Sequence, residues 1–176
     1  MRHHLIWFLA ILFLLLLQIS VFTPLRLSLL NLLLVLIVVS LIFASFDFGL
    51  AISLLCGILL DFLSGSADGV ISFTLVSVFL LMYFVINFIV AREPSLIILF
   101  SSVIGATIGY YLVFVAFNQL FGLFGLSDSI NYTNLFRDQL SISLILNLAF
   151  TYPILRFYLF IEKLSRTGER NEKQPI

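Results

Sequence analysis

The chain has 176 residues, 62% of them hydrophobic and 10% charged, with nine basic and nine acidic side chains and a formal net charge of zero. A soluble domain carries about 45–50% apolar and about 25% charged residues, so a mean hydropathy of +1.21 excludes an ordinary soluble globule and specifies an integral membrane protein. Balanced charge gives no electrostatic basis for nucleic-acid binding, and the single cysteine, Cys56, leaves no internal disulfide to form.

A membrane-spanning helix takes about 20 apolar residues, with a range near 17–25. By that measure the sequence predicts an all-α integral membrane protein, a six-transmembrane-helix bundle with spans at 5–22, 27–46, 48–63, 69–91, 95–121 and 138–160, followed by a charged tail over 163–176. The first run begins "MRHHLIWFLAILFLLLLQ" and ends at Thr23-Pro24. It imitates a secretory signal, but no small-residue cleavage pattern follows and further spans do, so it reads as a retained helix. His3 and His4 read as interfacial, because no cluster of further ligands accompanies them. The second run is free of charge between Arg26 and Asp47. The third is the shortest. Only thirteen charge-free residues separate Asp47 from Asp61, a length that also fits a re-entrant segment. Arg92-Glu93-Pro94 separates the fourth run from the fifth, and a polar, partly amphipathic loop over 122–137 precedes the sixth.

Lys and Arg set the orientation. With the N-terminus inside, Arg2, Arg92, Lys163, Arg166, Arg170 and Lys173 fall inside, with Arg156 near that face, against Arg26 and Arg137 outside. Both termini are therefore expected to be cytoplasmic. The basic tail is expected to be disordered or interfacial and to touch anionic lipid headgroups or cytoplasmic partners, at about 1 kcal/mol per basic residue near the surface, less what Glu169 and Glu172 take away.

Three polar features need an explanation inside so apolar a chain. Gly49, Ser53, Gly57, Asp61 and Gly65 recur every four residues, a stripe of small residues along one helix face that lets another backbone approach closely. Asp61 then faces protein near the outer end of the third helix, and Arg26 and Arg137 are the outside cations available to it. Gly65 and Gly69 read as turn residues, with Ser66 or Asp68 as the cap of the fourth helix. Ser101, Gly105 and Gly109 make a second small stripe on the fifth helix, which is the expected packing partner of the third. Ser143, Asn147 and Thr151 form a polar stripe on the sixth, where Pro153 is expected to kink the helix. Arg156 is expected to snorkel to the inner interface, with Asp47 as its alternative partner. The residues show no nucleophile elbow, phosphate loop, HExxH or paired carboxylates, so no enzyme activity and no cofactor are expected.

"LLLQ" in the first helix, "LLNLLLVLIV" opening the second, "GILLDFLSGSADGVISF" across the third and fourth, and "NLAFTYPILRFY" in the last resemble the rod shape-determining protein MreD family. The matching positions are Gly57, Asp61, Phe62, Ser64, Gly65, Ser66 and Gly69, with Asn147, Pro153 and Arg156 in fitting places. The resemblance implies a non-catalytic component of the bacterial cytoplasmic (inner) membrane. It would belong to the cell-elongation machinery that inserts lateral-wall peptidoglycan, and would bind an MreC-like bitopic protein. It also implies a fold similar to the S components of energy-coupling-factor transporters. The competing expectation is an S-component-like subunit for vitamin uptake, with Asn118, Gln119, Asn147 and Tyr110 as candidate pocket residues.

Overall fold

Residues 32–40 hold only Leu, Ile and Val before a closing Ser, with no polar face to turn toward water. A helix apolar all round is buried, and all nine are buried here. In the computed structural model, which describes residues 2–22, 30–64, 69–89, 95–123 and 139–172, this segment is the axis of the fold. The described residues form six α-helices and no strand. They are α1 (Arg2–Leu17), continued by a π-helical turn (Gln18–Phe22), α2 (Leu32–Phe43), α3 (Phe46–Ser64), α4 (Val70–Ile89), α5 (Leu96–Leu123) and α6 (Leu140–Glu172).

The protein is a multi-pass membrane protein by its helices. Five are long and apolar enough to cross a bilayer: α1 with its π turn, α3, α4, α5 and α6. The sixth expected span falls at α2, which over its described residues is shorter than these five. That helix has 12 residues, about 18 Å at 1.5 Å per residue, against a hydrocarbon core of about 30 Å. Of the span expected at 27–46, residues 27–29 lie outside the described residues. A helix enclosed by protein need not match the bilayer thickness, because its ends meet side chains instead of lipid. The expected weak span is, by contrast, full length. α3 has 19 residues, since Asp47 falls inside its first turn and Asp61 inside its last.

The other five helices form a ring around α2. Going round, α1 packs on α6, α6 on α5, α5 on α4 and α4 on α3, and α2 touches all five. The remaining junction, α3 with α1, has no comparable helix-to-helix packing; there Trp7 and Phe48 meet edge to face at 5.2 Å. α1 and α6 run antiparallel, with Trp7 5.1 Å from Tyr158 and Phe22 5.1 Å from Phe150. The start of α1 and the later half of α6 therefore share one end of the bundle. Outward side chains are apolar: Phe62, Ile97 and Leu123 are each more than four-fifths exposed, a surface suited to lipid and not to water.

The segment expected as a separate tail continues as helix to Glu172. Tyr158, Ile161 and Ser165 are all buried, so the inward face of α6 continues at steps of three and four beyond the apolar run. The helix also runs unbroken through the exposed Pro153.

Candidate functional site

Asp61 lies on the last turn of α3 and is buried. Its carboxylate reaches across to the first turn of α4. Oδ1 accepts the Ile71 N–H at 2.9 Å and Oδ2 accepts the Ser72 N–H at 2.9 Å. The Ser72 hydroxyl also donates to Oδ2. These are the second and third residues of a helix whose first N–H groups have no intrahelical acceptor. Asp61 thus does the work of an N-cap from a neighbouring helix, adding a negative charge where the helix dipole favours one. Gly69, which precedes the helix, has no side chain to offer, and its φ of +99° is one that L side chains rarely adopt. Its carbonyl accepts the Phe73 N–H at 2.9 Å. Asp61 thus caps α4 among the described residues, where Ser66 or Asp68 was the expected cap. Ser66, Asp68 and Gly65 lie outside the described residues, as do Arg26 and Arg137.

The small stripe on α3 faces α4, not α5 as expected. A Cβ on Gly57 would stand 2.5 Å from the Ser72 Cα, and one on Gly49 2.7 Å from the Phe79 ring. Backbone contact at Gly57 is what brings Asp61 within reach of α4. On α5, Gly105 has Met82 as its neighbour, and Gly109 has nothing within 4 Å of an added Cβ. The second stripe is thus only partly a packing face.

A second polar junction fastens the start of α2. Asn31 caps its own helix by accepting the Leu34 N–H at 2.9 Å. Gln18, in the π turn after α1, accepts the Leu32 N–H at 3.1 Å. Asn147 on α6 accepts the Asn31 N–H at 3.0 Å and donates to the Thr107 hydroxyl on α5 at 3.1 Å. The Thr151 hydroxyl donates back to the Asn147 carbonyl at 2.7 Å. Four segments of the chain therefore converge on one helix N-terminus, with Asn147 fully buried at the centre. The spacing of Ser143, Asn147 and Thr151 predicts the inward stripe; of its partners, Gln18 and Asn31 stand only in the runs quoted for the family resemblance, and Thr107 carries no sequence signal. The local signal was present, since Asn31 immediately precedes an unbroken apolar run, as an N-cap does.

Between the two junctions lies a chamber of about 260 Å³, lined by Leu60 and Ile71 on the Asp61 side and by Asn31 and Ser143 on the other. Tyr110, Tyr111, Gln18 and Gln139 add polar groups to its wall. Of the four pocket residues expected, Tyr110 lines it and Asn147 lies directly behind Asn31. Asn118 and Gln119 are not among its lining residues. Arg156, on the outer face of α6, donates from Nε to the Tyr152 hydroxyl at 2.8 Å and lies over that ring at 5.1 Å. It takes a partner on its own helix, not Asp47. No group of three His, Cys, Asp or Glu side chains able to hold a metal occurs among the described residues.

Comparison with known proteins adds no name to this arrangement: no family model matches the chain, and neither a curated protein nor a solved structure matches it.

Proposed function

We propose that this chain is a non-catalytic scaffold of the bacterial cell-elongation machinery in the cytoplasmic membrane. It would hold an MreC-like single-pass protein and so support lateral peptidoglycan synthesis. The observation that carries the reading is how the residues behind the MreD resemblance are employed. Gly57, Asp61 and Gly69 fasten α3 to α4, and Asn31 and Asn147 fasten α2 to α5 and α6. A motif spent on internal joints favours a protein whose product is a fixed shape. On this reading the chain passes six times between the two faces, α2 carrying it back inside the ring, and both termini are cytoplasmic. The Trp7–Tyr158 contact between the first and last helices favours that arrangement.

The chamber at the Gln18 end supports a second reading, an S-component-like uptake subunit. At about 260 Å³ it falls just below the range of about 300–1,000 Å³ of small-molecule clefts. Its amides and phenol hydroxyls would suit a small neutral polar compound. Co-expression with an MreC-like protein and extraction in mild detergent separates the two readings. The scaffold is expected to leave the column with its partner. A chain eluting alone with a vitamin-sized compound bound overturns it.

A further inference from the structure

The ring around α2 is packed shut at four junctions and open at the fifth. Between α1 and α3 lies a cleft of about 420 Å³, within the range of about 300–1,000 Å³ typical of ligand clefts. Phe8 and Ile11 wall it on α1, and Phe48, Ile52 and Leu55 on α3. Steps of three and four keep each set on one helix face, so the slot follows the bundle axis for about 10 Å from Phe48 to Leu55. One end is polar. Ser45 and the exposed Asp47 stand there beside Trp7. Trp7 is 3% exposed, and its indole Nε1–H is the one buried side-chain polar atom among the described residues with no hydrogen-bond partner. A buried donor left unpaired carries its full desolvation cost. The same indole also borders a cavity of about 270 Å³ shared with Tyr158 and Glu162.

We propose that this cleft is a phospholipid site that seats one acyl chain and selects an ethanolamine headgroup. The apolar slot takes the chain, the lipid ammonium sits by the Asp47 carboxylate, and an ester carbonyl or phosphate oxygen accepts the Trp7 Nε1–H once the side chains that now cover it give way. A transmembrane helix fits less well: its backbone carbonyls are already satisfied within the helix, so it brings Trp7 no backbone acceptor. The carboxylate at the mouth disfavours an anionic headgroup. The site stands apart from the chamber and from either functional reading.

The test is native mass spectrometry of the full chain with dioleoylphosphatidylethanolamine or dioleoylphosphatidylglycerol added to the detergent-purified protein, whose fold is checked by thermal melting. The wild type is expected to retain the ethanolamine lipid at least fivefold over the glycerol lipid. Asp47→Asn, at an exposed position, is expected to equalise the two. Trp7→Phe is expected to weaken both about tenfold, and Ala51→Trp, which plugs the slot from its rim, to abolish both. Equal retention by the wild type, or binding untouched by Ala51→Trp in a folded protein, overturns the proposal. A photo-crosslinking residue at position 51 that captures a protein in cells instead of lipid also overturns it.

Discussion

Replacing Asp61 by Ala removes an acceptor that a first helical turn cannot replace from its own residues. The Ile71 and Ser72 N–H groups and the Ser72 hydroxyl lose their carboxylate partner together. Loss of an N-cap costs about 0.5–2 kcal/mol, and each buried donor left unpaired costs about 1–3 kcal/mol. These overlap, because water reaches the end of a helix, and together they imply about 2–4 kcal/mol. At about 2–4 °C per kcal/mol for a chain of this size, the melting temperature in detergent is expected to fall by about 4–16 °C. Asp61→Asn keeps one carbonyl oxygen but turns an NH₂ toward a donor, so it is expected to lose about half as much. The assay is thermal unfolding followed by tryptophan fluorescence, with cysteine accessibility at the buried Cys56 as an independent probe of bundle opening. An Asp61→Ala protein that melts within 1 °C of the wild type would refute the trans-helix cap.

Gly57→Ala places a Cβ 2.5 Å from the Ser72 Cα, and overpacking of this kind costs about 1–3 kcal/mol; a doubled Gly57→Ala, Asp61→Ala protein should lose less than the sum in thermal melts, since both act on one joint. Gly69→Ala forces a side chain onto φ +99° and should cost about 1–2 kcal/mol, read in the same melts. Asn147→Leu leaves the Asn31 N–H unpaired at the start of α2 and should cost about 1–3 kcal/mol, with faster proteolysis near residue 31 as its signature. Gly109→Ala has open space around it inside α5 and should raise stability slightly, by up to about 0.5–1 kcal/mol, the control that separates packed glycines from unpacked ones.

The membrane class was legible because composition alone forbids a soluble core, and the five long helices follow from apolar runs between charges and prolines. The end of α2 was not, because 27–30 are as apolar in character as 32–39 apart from Ser28, and only Asn31 marks where the helix starts. The four-residue spacing correctly puts Gly57 and Asp61 on one face. It carries no information about which neighbour that face meets, and a hairpin partner ten residues away proved to be the one. The Asp61 cap escapes local rules for the same reason: those rules seek the cap within three residues of the helix start, whereas this one arrives from the helix before. Trp7 in an apolar run gives no sign that its N–H lacks an acceptor, since that depends on the open α1–α3 junction.

The most direct measurement of the scaffold account is co-purification with an MreC-like bitopic protein expressed from the same cell. The account predicts a stoichiometric complex that survives mild detergent and weakens when Asp61→Ala loosens the α3–α4 joint. A wild-type protein that melts normally, elutes alone, and does so identically with and without that partner would contradict it.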